Sequence, residues 1–516
     1  MLVSRKHKQL VINAKYPRQV QAVIPTAKAF DFKGHTLLAV PHRLDEVQVL
    51  NNIGMRAPSP MAFYYDWPGK YTPFEAQRIT ASYVTLHRRA YILNDLGTGK
   101  TCASLWAADY LLRLGAVTRV AVFCPLSTME RTWGDELMDS FPERSFAMVH
   151  GTADKRAREM KKDVDFYIIN HHGVKVKSVL NALLKRQDID LIIIDELAVF
   201  RNTRSDLWKA MNKVVKTRSW VWGMTGTPTP NSPTDAYGQI KLITPQNAPK
   251  YFGQWRDMVM KPGYGPYAWV ARHDAMETVY NTMQPAVRFS RDECVDLPPA
   301  VYQTRECDMS PEQARAYREM ASRLKTASEA GEVIAVNEAV KVQKLVQICC
   351  GVAYGRNHEE VLYPVQCRVE AIQEVVEESA GKVIVFVPFT ASLDMLAKKI
   401  REFASVAVID GRVSKAQRDE VFRNFQQSAN PRVLVAQPAA MSHGLTLTEA
   451  NTIVWYAPPN NNDTYQQANG RITRPGQINT QFIIHLEGSP IERVMYRRLQ
   501  DRGTMQGILL DAFANG

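Results

Sequence analysis

Ten short apolar runs, rich in β-branched residues and without polar alternation, set the limits on how this chain can fold. Five lie in the first half: Ala90 to Asn94, Arg119 to Cys124, Asp165 to Ile169, Asp190 to Ile194 and Trp220 to Met224. Five follow Gly381: Lys382 to Val387, Val406 to Ile409, Arg432 to Ala436, Thr452 to Tyr456 and Thr480 to Ile484. A strand with one wet face alternates apolar and polar side chains, so these runs predict central parallel strands covered on both faces. Amphipathic stretches lie between them, such as Thr101 to Leu114 closed by Gly115, and predict helices. The fold class expected is α/β, with two doubly wound parallel sheets. At 516 residues the chain exceeds what one core can fill, which agrees with two lobes and leaves room for more.

The lobes are expected at residues 68–240 and 371–516. Between them, residues 241–370 open with Pro- and Gly-punctuated text (Lys261 to Pro266) and continue into polar, helix-rich stretches such as Ser310 to Ala330. This predicts a helical insert and linker. Residues 1–67 are expected to form a small basic accessory domain. Residues 1 to 70 hold ten Lys/Arg against Asp31, Asp45, Glu46 and Asp66, a net of +6. Such an excess is either a solvated face or a phosphate-contacting one. The whole chain carries +12 with a pI near 9.2, which favours a polyanionic partner without naming it. Seven cysteines form no C-x-x-C pair and no zinc spacing, and are expected as buried, reduced thiols. No apolar run is long enough to span a bilayer, and the basic start lacks a signal-peptide apolar stretch, so a cytoplasmic protein is expected.

Three motifs carry chemistry. Asn94 to Thr101 (Asn-Asp-Leu-Gly-Thr-Gly-Lys-Thr) follows a predicted strand and opens a predicted helix, the setting of a phosphate-binding loop. Backbone N–H groups at Gly97, Thr98 and Gly99 would cradle phosphates, Lys100 would reach the β/γ oxygens, and the Thr101 hydroxyl would ligate magnesium. Its first position is Asn94 rather than Gly. Asp195 and Glu196 end a buried strand where open α/β sheets place their ligands. Asp195 would hold magnesium through water, and Glu196 would orient and deprotonate an attacking water. Asp463 to Gln477 reads as a short helix opened by Asp463 and stopped by Pro475 and Gly476. On one face of it Arg471 and Arg474 would converge on a γ-phosphate as arginine fingers.

Together these residues make the chain resemble, from about Tyr71 onward, a superfamily-two helicase-like ATPase of the Swi/Snf-like DNA translocase type. Tyr71 to Gln77 is similar to that family's adenine-reading motif, which assigns Gln77 to the base. Pro125, Leu126 and Ser127 with Trp133 resemble its first strand-contacting motif. Thr225-Gly-Thr227-Pro resembles its coupling motif, and Phe425 with Asp410-Gly411 matches the early pattern of its second lobe. Gln467-Ala-x-Gly-Arg471-x-x-Arg474-x-Gly-Gln477 is the most specific match and adds Gln467 to the nucleotide site. Val287 to Pro298 and Met309 to Tyr317 resemble the inter-lobe segment. The size and the stretch Ile194 to Asn202 are similar to compact phage-encoded members.

The resemblance implies two RecA-like lobes, ATP and Mg2+ as cofactors, and translocation along double-stranded or forked DNA in replication, recombination or repair. RNA is the less favoured track. A strand-separating helicase is the nearest rival, a non-hydrolysing DNA-binding scaffold is another, and a restriction-type motor would need a nuclease partner. Two departures stand out. Ala198 occupies the fourth position of Asp-Glu-Leu-Ala, where relatives carry His, so a His link to Thr225 is excluded and coupling must run otherwise. The loop around Gly444, a further coupling residue by resemblance, has few glycines. The neighbours His171 and His172 point to opposite faces and are unsuited to one metal. They are expected in a loop near the nucleic-acid path.

Overall fold

In the computed structural model each of the ten apolar runs is a strand. The structure describes residues 1–69, 71–263, 269–294, 300–329, 335–354, 360–441, 447–474 and 477–501. It divides into two compact units, Met1–Cys294 and Val295–Met505.

The first unit begins with an antiparallel sheet of β1 (Leu2–Ser4), β2 (Gln9–Ile12), β3 (Lys28–Phe32) and β4 (His35–Pro41), in the order β1-β2-β4-β3. Its inner face, with Leu10, Ile12, Leu38 and Val40, closes over Val20, Ile24, Val47 and Leu50. Residues just beyond this module pack elsewhere. Leu44, Met61 and Tyr65 enter the core of the following parallel sheet, and the Tyr65 hydroxyl donates to the buried Asp109 at 2.6 Å. Packing therefore joins residues 44–67 to the lobe that follows.

That lobe is built on β5 (Arg89–Ile92), β6 (Arg119–Cys124), β7 (Phe146–Val149), β8 (Phe166–Asn170), β9 (Ile189–Ile194) and β10 (Trp220–Met224). After a small ribbon of β11 (Met260–Pro262) and β12 (Trp269–Ala271), β13 (Ala286–Val287) returns to pair with β5. The seven strands are parallel, in the order β13-β5-β10-β9-β6-β8-β7.

The second unit opens with β14 (Ala300–Glu306), followed by helices Pro311–Glu329 and Ala335–Cys349 and a ribbon of β15 (Val352–Tyr354) and β16 (Glu360–Leu362). Five strands complete it: β17 (Lys382–Phe386), β18 (Val406–Ile409), β19 (Val433–Ala436), β20 (Ala450–Trp455) and β21 (Gln481–Glu487). The parallel order is β14-β21-β20-β17-β19-β18. Alternate residues of β17 serve different cores, Val383 and Val385 on one face and Ile384 and Phe386 on the other. Both faces are dry, which is why the sequence shows no polar alternation there.

Residues 241–370, expected as one insert, are divided between the units: β13 completes the first sheet and β14 forms an edge of the second. Edge strands are short or partly wet, and β14 has three exposed residues in succession. Among the described residues no helix is long and apolar enough to cross a membrane.

Candidate functional site

In the first unit β5, β10 and β9 lie side by side, with Ile92 level with Met224 and Gly223 level with Ile194. Each carries one motif at its C-terminal end: Asn94 to Thr101 after β5, Thr225 to Thr227 after β10, and Asp195 with Glu196 after β9. With neighbouring strands about 4.8 Å apart, the outer two motifs begin within about 10 Å of each other. Parallel register alone thus gathers residues that lie far apart in sequence.

The phosphate loop turns on two left-handed glycines, Gly97 (φ 86°) and Gly99 (φ 75°), and Gly99 caps helix Lys100–Arg113. The positive φ of Gly99 favours glycine, and a Cβ there would push against the end of the Gln77 side chain. Gln77 is nearly buried in helix Glu75–Leu86, and its Oε1 accepts from the Phe74 N–H at 2.9 Å. Thr98 is buried, its hydroxyl donating to the Asp95 carbonyl at 2.8 Å. Lys100 folds back over its own loop: Nζ donates to the carbonyls of Asn94 at 2.8 Å and Asp95 at 2.9 Å. Burial lowers its pKa, while the charges of Glu196, Asp195 and Asp95 act in the opposite direction.

Asn94, the departure from the glycine pattern, is a structural anchor. Its Nδ2 donates to Thr80 Oγ1 at 2.8 Å, and its Oδ1 accepts from the Phe289 N–H at 3.1 Å. The next residue is held by the same segment, Asp95 accepting from Arg288 Nη2 at 2.8 Å and from the Arg291 N–H at 3.0 Å. Arg288 is buried. The stretch following β13 therefore grips the start of the phosphate loop.

Asp195 is half-buried, and its desolvation raises its pKa. Trp133 Nε1 donates to its Oδ2 at 3.1 Å, and His171 Nε2 donates to its carbonyl at 2.7 Å. Glu196 adopts φ 54°, a left-handed conformation that costs a residue with a Cβ about 1–2 kcal/mol. Thr225 Oγ1 donates to Glu196 Oε1 at 3.1 Å and accepts from the Thr227 N–H at 3.1 Å. This direct contact links β10 to the carboxylate pair without a histidine. The Thr101 hydroxyl, the Asp195 carboxylate and the nearby negative charges are hard oxygen donors, a set that fits magnesium.

Two expectations are corrected here. Trp133 has no exposed surface, so it is unavailable to a nucleic-acid strand; the helical turn Met129–Gly134 directs its indole to Asp195. In the same motif Pro125 is buried, and only Leu126 and Ser127 are exposed. His171 is likewise buried behind Asp195 rather than in a nucleic-acid-facing loop, while His172 is exposed.

In the second unit the helix runs Asn462–Asn469, opened by the Asn461 side chain rather than by Asp463. Gly470 ends it, so Arg471 and Arg474 lie in the turn beyond and do not share a helical face. Arg471 is buried, Arg474 Nε donates to the Gly470 carbonyl at 3.2 Å, and Gln467 Nε2 donates to Asp463 Oδ1 at 3.0 Å. Gly444, Pro475 and Gly476 lie outside the described residues. Among those described, no group of His, Cys, Asp and Glu is arranged to hold a metal by itself.

The SNF2-related domain model matches residues 74–352, and the helicase conserved C-terminal domain model matches residues 367–476. This chain belongs to the SNF2-related family. It is a helicase-like ATPase. Putative protein p41 of Acyrthosiphon pisum secondary endosymbiont phage 1 is 25% identical over 479 residues, covering 86% of this chain and 98% of that protein. The SWI/SNF-related matrix-associated actin-dependent regulator of chromatin subfamily A-like protein 1 of Xenopus tropicalis is 23% identical over 421 residues. That match covers 80% of this chain but 42% of the frog protein. The Sulfolobus solfataricus SWI2/SNF2 ATPase core in complex with dsDNA is 19% identical, with a TM-score of 0.40, covering 87% of this chain and 95% of that one.

The contacts of Trp133 and Arg288 separate two effects. Trp133→Phe keeps the packing but removes the donor to Asp195, and is expected to lower kcat about tenfold with little change in KM for ATP. Arg288→Ala frees the loop and is expected to raise KM for ATP about tenfold. Equal effects on both constants in both variants would contradict these roles. A second expectation concerns pH. Burial lowers His171 and His485 to about 4, whereas an unfolded chain binds these protons near pH 6.5. Stability is therefore full above about pH 6.5 and falls as pH drops towards 4, by up to about 1.4 kcal/mol per pH unit per histidine. Urea unfolding at several pH values measures this, and His485→Gln should flatten the dependence.

Proposed function

We propose that this protein is an ATP-driven translocase on duplex or forked DNA, acting in replication, recombination or repair with remodelling or strand annealing as its output. The observation that carries the reading is the Thr225 contact to Glu196, because it joins the hydrolytic carboxylates to the next strand of the sheet. Lys100 exchanges the carbonyls of Asn94 and Asp95 for the β/γ oxygens of ATP, and Gln77 lies beside the loop to contact the base. Thr101 and Asp195 hold magnesium, which neutralises phosphate charge when bound. Glu196 orients and deprotonates the attacking water. Arg471 and Arg474 act on the γ-phosphate as arginine fingers, and Gln467 contacts the nucleotide. Thr227 and Gly444 belong to the coupling elements. Leu126 and Ser127, exposed in the turn after β6, meet the DNA backbone, which is gripped mainly at phosphates and therefore salt-sensitive.

The test is ATPase activity without nucleic acid and with single-stranded, duplex or forked DNA or RNA. Duplex or forked DNA is expected to stimulate most. Lys100→Ala should abolish the activity, and Arg471→Ala should lower kcat by about 10³ to 10⁵. Stimulation by RNA alone would overturn the DNA reading, and equal rates in wild type and Lys100→Ala would remove the motor.

A further inference from the structure

The N-terminal sheet has one face that the core does not use. Strand pairing identifies it: Leu38 and Val40 of β4 face inward with no exposure, so Leu37, Ala39 and His35 face outward. Residues directly opposite in an antiparallel pair share a face. Phe30 pairs with Leu37, Phe32 with His35 and Lys28 with Ala39, which sets both phenylalanines and a lysine on the outer side. Phe30 is 39% exposed and Phe32 54%. Two residues apart on one strand, they stand roughly 7 Å from each other.

Charge is concentrated in the same module. Residues 1 to 41 hold seven Lys/Arg against Asp31 alone, a net of +6 and half of the +12 of the entire chain. Arg5, Lys6 and Lys8 are exposed in the turn between β1 and β2. The β3–β4 turn is fixed by the left-handed Lys33 and Gly34, with Lys33 Nζ 5.5 Å from the centre of the Phe32 ring. Lysines alone on an edge strand guard it against pairing with other strands. Exposed phenylalanines work against that purpose, so edge protection does not account for this surface.

We propose that the outer face of β3 and β4 binds single-stranded DNA. Phe30 and Phe32 stack on unpaired bases, while Lys28 and Lys33 meet the phosphates. A duplex hides its base faces within its own stack and gains nothing from the rings. An acidic protein segment would use the lysines but not the pair of aromatic faces. The choice of DNA over RNA rests on the proposed function above; the stacking platform itself does not.

The whole chain is assayed by fluorescence anisotropy, without ATP, against a labelled thymidine 20-mer, a uridine 20-mer and a 20-base-pair duplex. Truncation is avoided because Met61 and Tyr65 belong to the core of the following lobe. The double variant Phe30→Ala/Phe32→Ala is expected to bind the thymidine strand about tenfold more weakly or worse, with duplex affinity changed less than twofold. Lys28→Ala/Lys33→Ala should reduce the slope of log affinity against log salt by about 1.4 on the single strand. An unchanged thymidine affinity in the phenylalanine variant, or an equal loss on duplex, would overturn the platform. Tighter binding of uridine than thymidine would overturn the assignment to DNA. Lys100→Ala keeps this binding even where it ends hydrolysis, so failure of the platform and failure of the motor are read separately.

Discussion

An ammonium group and a carboxylate stand half-buried near the ends of β5 and β9, and their neighbours are arranged to make that tolerable. Burial alone disfavours charge on both Lys100 and Asp195, and a buried charge persists only with hydrogen-bond partners. Lys100 finds two backbone carbonyls, and Asp195 finds the Trp133 indole. The lysine partners belong to the flexible side of the balance, since an anionic ligand can replace them. Those of Asp195 belong to the rigid side. A carboxylate held by an indole and by His171 at its own carbonyl keeps its orientation before any ligand arrives.

The same constraint explains the segment after β13. Lys100 rests on the carbonyls of Asn94 and Asp95, so the position of those carbonyls decides where the ammonium waits. Asn94 and Asp95 are fixed in turn by Phe289, Arg288 and Arg291. The contacts of Arg288, Phe289 and Arg291 are therefore contacts to the phosphate loop.

The central strands were legible because burial on both faces writes itself into the sequence as unbroken β-branched runs. The places of Lys100, Thr101, Asp195 and Glu196 in the fold were legible for a related reason: a tight turn into a helix needs glycines at fixed places, and Asp195 and Glu196 directly follow a buried strand. The edges were not. β7 is four residues, β13 is two, and β14 is largely exposed, so each takes its place from the strand beside it rather than from its own pattern.

Residues that act on other residues were the hardest to see. Trp133 and His171 sit in text that points towards a strand-facing loop, and only the packed sheet turns them towards Asp195. Arg471 and Arg474 show the converse. Their spacing fits a helix, but the helix ends at Asn469 with Gly470 as its cap, and the backbone that carries both arginines follows a turn. Spacing identifies residues that belong to one motif; the last glycine decides whether they share a face. The Thr225 hydroxyl makes the same point for chemistry. Ala198 removes the histidine route to Thr225, and Thr225 meets Glu196 directly because β9 and β10 are neighbours.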